Sequence, residues 1–208
     1  MIKHQVVVDG FPTHYYIMNP ERRRVMLVVH GFRGDPAGLA QIVRHWSDYK
    51  IIIPELPGHG ETPPMTQDRH TIEGYGRWVR RFMQTLKLGP VVLVGHSFGS
   101  LVAARVAADS SEGIERLILI NPVSESSRIL ALLGKAYYRI GLSAPDSLGR
   151  RWFNSRTISR MQSWLMMTTP DPDLRAHIYR HHLNDLRFPY YKEVIADATA
   201  SVVAQNVL

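Results

Sequence analysis

The 208-residue chain has no cysteine. That excludes disulfides, thiolate zinc sites and a cysteine nucleophile, and it fits a reducing compartment. No apolar run reaches the roughly 18 residues a transmembrane helix needs. The N-terminus, MIKHQVVVDG, has one lysine, no long apolar stretch and no small-residue cleavage site, so it does not read as a secretory signal. Internal repeats and low-complexity segments are missing too. These absences predict a cytoplasmic globular protein. The net charge is +7, a balance that can draw phosphate or anionic lipid. The basic clusters, Arg22-Arg23-Arg24, Arg80-Arg81 and Arg150-Arg151, are scattered and lack interleaved aromatics. They predict solvated surface, not a nucleic-acid platform.

What is present suits one domain, with room for an inserted subdomain. Hydrophobic residues make up 45% of the chain, enough for a real core. Gln5–Val8 and His14–Met18 read as short strands joined through the turn signal Asp9-Gly10. Val25–Val29 is a near-continuous apolar run, the pattern of a strand buried on both faces. Asp35-Pro36 opens a helix whose apolar face is Leu39, Ile42, Val43 and Trp46. Ile51–Ile53 is a strand. Thr71 caps a helix with Ile72, Tyr75, Val79, Phe82 and Leu86 on one face. Val91–Val94, an alanine-rich helix and Leu117–Ile120 continue the alternation. Strand and helix in alternation predict a mostly parallel sheet with helices on both faces.

The rhythm stops near residue 124. From 126 to 208 only helical stretches are expected, around 128–140, 146–153, 156–168, 172–186 and 190–206. The chain is therefore read as a core over 1–125 and a helical region over 126–208.

The chemistry sits in Gly95-His96-Ser97-Phe98-Gly99, between a strand and a helix. The pattern G-x-S-x-G places a serine on a sharp, strained turn, with small residues where strand and helix nearly touch. Ser97 is the candidate nucleophile. The backbone N–H of Phe98, at the helix N-terminus, faces the oxygen that turns negative during acyl transfer. A second N–H in His30-Gly31-Phe32, that of Phe32, can complete a two-donor oxyanion hole. This loop ends an earlier strand, where ligand sites of open α/β sheets gather.

VVHGFRGD, ELPGHGET and LVGHSFGSLVA resemble the corresponding motifs of the α/β-hydrolase superfamily, in its serine esterase and lipase branch. The resemblance covers about residues 5–125 and implies an α/β-hydrolase fold with residues 126–208 as a cap. It implies Ser97 as nucleophile and Phe32 and Phe98 as oxyanion donors. A serine at the elbow, not an aspartate, points away from the dehalogenase and epoxide-hydrolase branches. Glu55 stands where the family usually has Asp. The implied reaction is hydrolysis of an acyl substrate, foremost a carboxylic ester, without metal or organic cofactor; the apolar residues of the cap point to a hydrophobic acyl or aromatic part in that substrate.

That chemistry requires a base, and no histidine follows His182. The family order is serine, acid, histidine, the last two following strands beyond the cap. About 60 residues of the expected fold are absent, at roughly 30 per βα unit. His30 and His96 belong to the motif loops, His59 to a structural turn, and His4, His14, His45 and His70 to early elements. His177 and His181 have metal-pair spacing but no intervening glutamate, so they and His182 read as a solvated helix face. Glu125 is a spare acid with no histidine to orient. The expectation is a C-terminally truncated hydrolase whose chain is nearly inactive alone and self-associates through its incomplete sheet edge. The alternative is a non-catalytic binding protein on a hydrolase scaffold.

Overall fold

The computed structural model describes residues 1–34, 36–122, 128–166, 169–173, 175–176, 179–180 and 190–205. Strands β1 (Ile2–Val8) and β2 (Phe11–Met18) form an antiparallel hairpin. Its two-residue turn is Asp9-Gly10, with φ of 53° and 84°. Positive φ at both positions suits the right-handed twist of the flanking strands, which is why Asp-Gly serves here.

Strands β3 (Arg24–Val29), β4 (Tyr49–Pro54), β5 (Val91–His96) and β6 (Ile114–Ile120) follow. The sheet order is β1-β2-β4-β3-β5-β6. The first two strands run antiparallel to their neighbours and the other pairings are parallel. Helices α1 (Pro36–Val43), α2 (Ile72–Thr85) and α3 (Phe98–Asp109) connect the parallel strands.

The apolar runs are long because both sheet faces are buried. Leu27, Val29, Ile52 and Leu93 point to one face, with Tyr75, Trp78, Phe82, Val102 and Val106 of α2 and α3. Met26, Val28, Ile51, Ile53, Val92 and Val94 point to the other, with Leu39 and Val43 of α1. Thr71 is the predicted cap of α2; its Oγ1 accepts from the Gly74 N–H at 3.2 Å. Asp35, the predicted cap of α1, lies outside the described residues.

Two compact units emerge, Met1–Ser126 with Glu193–Leu208, and Ser127–Lys192. The second contains α4 (Arg128–Ser143), α5 (Asp146–Phe153) and α6 (Arg156–Met166). Phe153 is its buried centre, with Tyr137, Tyr138 and Tyr190 rings 5.3, 6.0 and 5.9 Å away. The Trp152 indole N–H donates to the Tyr137 carbonyl at 3.1 Å. Among the described residues, no strand follows β6 and no helix is long and apolar enough to cross a membrane.

The last helix, α7 (Lys192–Gln205), departs from the expected division at residue 125. From Glu193 on it groups with the first unit. Val194, Ile195, Ala198 and Ser201 are buried there. Ser201 Oγ accepts from the Ile72 N–H at 3.2 Å, and Asp197 accepts from the His70 N–H at 3.0 Å. Small side chains at 198 and 201 let α7 approach the start of α2 closely enough for these bonds.

Candidate active site

Strand β5 ends in a turn that Ser97 makes with φ 52° and ψ −121°. A side-chain-bearing residue reaches that conformation only under strain, so surrounding bonds must hold it. The Ser97 N–H donates to the Ile120 carbonyl at 3.0 Å, while the Ser97 carbonyl accepts from the Ser100 N–H at 2.8 Å and the Ser100 hydroxyl at 2.5 Å. Gly95 and Gly99 make the turn possible. A Cβ on Gly95 would collide with the Gly99 carbonyl and come within 2.7 Å of Ser100 Cα. One on Gly99 would collide with the Val29 carbonyl and lie 2.5 Å from that of His30. Ser97 itself is half-buried, and among the described residues nothing hydrogen-bonds its hydroxyl.

Phe98 opens α3, so its N–H has no acceptor within the helix. The loop after β3 comes to the same place. A Cβ on Gly31 would fall 3.2 Å from Ser97 Cβ. Gly34 N–H donates to the Gly31 carbonyl at 2.9 Å, closing a turn with Phe32 inside it. The three predicted residues, Ser97, Phe32 and Phe98, are thus brought together.

Four rings fix the arrangement beneath. Phe32 and Phe98 meet edge to face at 5.9 Å. Phe98 meets Tyr75 at 5.7 Å, Tyr75 meets His59 at 6.4 Å, and His59 meets Phe32 at 6.0 Å. The Tyr75 hydroxyl donates to the Pro57 carbonyl at 2.9 Å, and His59 Nδ1 lies 3.3 Å from the same oxygen.

The model of the alpha/beta hydrolase fold family matches residues 24–165, from β3 to α6. The chain belongs to the α/β-hydrolase family. An (E)-2-((N-methylformamido)methylene)succinate hydrolase from Acinetobacter baylyi is 26% identical over 167 residues, covering 78% of this chain and 63% of that protein. Lipase LipV of Mycobacterium tuberculosis is 26% identical over 180 residues, covering 83% and 63%. The chain therefore spans just under two thirds of both relatives. The crystal structure of Cfl2 from Burkholderia cenocepacia superposes with a TM-score of 0.74 at 15% identity, over 98% of this chain and 71% of that one. That likeness is one of fold.

Within this hydrolase-family frame, most histidines are occupied elsewhere. His30 Nε2 accepts from the Leu56 N–H at 2.9 Å, leaving Nδ1 to donate to the Gly31 carbonyl at 2.7 Å. His70 Nε2 accepts from the Met65 N–H at 2.9 Å. His4 stacks on Tyr15, His45 accepts from Arg44, and His14 lies 3.6 Å from Glu61. Burial lowers the His96 and His70 imidazoles below their usual range, for His70 against the pull of Asp197. It pushes His59 down to about 3, with nearby His30 adding to the effect. His177, His181, His182 and Glu125 lie outside the described residues.

Glu55, the departure from the usual Asp, holds its loop together. It accepts from the Glu61 N–H at 2.7 Å, the Thr62 N–H at 3.2 Å and the Tyr16 hydroxyl at 3.1 Å. From the sequence alone His59 is a turn residue and Tyr75 a core residue. Their place in the ring circuit had no local signal, because their partners lie on other elements.

Proposed function

We propose that the whole protein is a serine hydrolase that cleaves acyl bonds, with carboxylic esters as its substrate class. Ser97 Oγ attacks the carbonyl carbon, and the carbonyl oxygen becomes negative. The N–H groups of Phe32 and Phe98 donate to that oxygen as it charges, and the positive end of α3 adds to their effect. The tetrahedral species collapses, the alcohol leaves and Ser97 is acylated. Water then releases the acid and restores the hydroxyl. A histidine takes and returns the proton in both halves. Among the described residues none of the seven histidines hydrogen-bonds Ser97, which supports a base outside them. The second unit serves as the cap.

The observation that carries this reading is the backbone of Ser97, held at φ 52° between β5 and α3. Strain of this kind needs a use, and lifting a nucleophile off the sheet is one. The test is hydrolysis of a nitrophenyl ester by the whole protein, with labelling by a fluorophosphonate mapped by mass spectrometry. Label on Ser97 and loss of turnover in Ser97→Ala are expected. Retained turnover in that variant overturns the nucleophile assignment. An unlabelled protein that still binds ester analogues is a binding scaffold instead.

A further inference from the structure

The charge of this chain is unevenly divided. Residues 127–192 hold eleven of the 25 Lys and Arg residues but four of the 18 Asp and Glu residues. The second unit thus carries the whole net charge of +7, and the remainder is balanced. The same unit displays large apolar side chains. Leu132 is 67% exposed, Met161 63% and Trp164 68%, with Leu133, Ile140 and Leu148 also more than half exposed.

These residues are ordered along their helices. On α4 the tyrosines Tyr137 and Tyr138 turn inward to Phe153, while Leu132, Ala136 and Ile140 recur at four-residue spacing on the exposed side, beside Lys135 and Arg139. On α6, Met161 and Trp164 are exposed at a spacing of three, beside Arg156 and Arg160. Apolar side chains flanked by cations are the pattern of a helix that lies in a lipid–water interface. An exposed tryptophan suits that boundary, with an apolar body and one polar N–H.

We propose that the second unit docks peripherally on anionic lipid bilayers through α4 and α6, with Leu132, Ile140, Met161 and Trp164 entering the headgroup region and the flanking cations facing lipid charge. The inference is independent of the chemistry at Ser97. Two other occupants fit less well. A second copy would set one +7 unit against another. Nucleic acid would meet aliphatic side chains where it needs stacking rings and donors.

The test is co-sedimentation of the 208-residue chain with vesicles of phosphatidylcholine alone or with a third phosphatidylglycerol. Binding about ten-fold tighter to the anionic vesicles is expected, weakening as salt shortens the screening length from about 10 Å at 0.1 M to about 3 Å at 1 M. Trp164→Ala and the pair Arg139→Glu with Arg156→Glu reduce binding. The pair Arg23→Glu with Arg116→Glu makes the same charge change on the first unit and leaves binding intact. Equal loss in both pairs, equal affinity for both vesicles, or binding to duplex DNA but not to vesicles overturns the proposal.

Discussion

The Phe32 and Phe98 rings touch edge to face at 5.9 Å, although 66 positions separate them in the chain. Each residue also carries one of the two backbone N–H groups proposed as oxyanion donors. Side-chain packing therefore sets the spacing of two main-chain groups. Phe32→Ala removes one side of the ring circuit and should lower kcat of the whole protein more than it raises KM, because the donors act most strongly in the transition state. Steady-state kinetics on a nitrophenyl ester checks this, and an effect confined to KM would count against it.

Tyr75→Phe keeps the ring and loses the hydroxyl bonded to Pro57. The buried Pro57 carbonyl then keeps only the longer contact with His59 Nδ1 at 3.3 Å, so a loss of about 1 kcal/mol in urea unfolding is expected. The fold should remain, since the ring contacts with Phe98 and His59 persist.

Two glycine substitutions should differ in sign. Gly99→Ala forces a Cβ against the carbonyls of Val29, the last residue of central strand β3, and of His30 just after it, and should cost about 3 kcal/mol or more. Gly134→Ala on α4 meets nothing within 4 Å and should gain about 0.5–1 kcal/mol of helix stability. Urea midpoints of the two variants measure both.

Stability should rise between about pH 4 and 7. His59 is held neutral in the fold down to about pH 3, whereas an unfolded imidazole takes up its proton near 6.5. The unfolded chain therefore binds more protons in that window, and stability is lost as pH falls through it. Burial acts in the same direction on His70 and His96. His59→Gln should flatten the slope of unfolding free energy against pH. An unchanged slope would remove His59 as its source.

Among the described strands β6 is an edge, with Leu119 41% exposed. Such edges recruit further strands. Leu119→Lys should reduce concentration-dependent light scattering by the 208-residue chain.

The sheet was readable because its strands are apolar runs bounded by turn signals, as with Val91–Val94 and Asp9-Gly10. The elbow was readable because close approach of strand and helix restricts positions 95 and 99 to glycine, a local demand. The allegiance of α7 was not. Its sequence, with four alanines and three valines in 14 residues, has little contrast between faces, and the groups it meets, Ile72 and His70, are over 120 residues away. His59 was hidden for the same reason. Its imidazole sits in a glycine-rich turn, and what makes it neutral is the burial imposed by distant rings.

The return of α7 to the first unit means that residues 127–192 leave and rejoin the same body. A segment tethered at both ends can lengthen, shorten or change its surface without altering strand order. Mutation can therefore explore the helices of the second unit while the elbow and its ring circuit stay in place. In this architecture residues 127–192 can diverge faster than the sheet and its elbow.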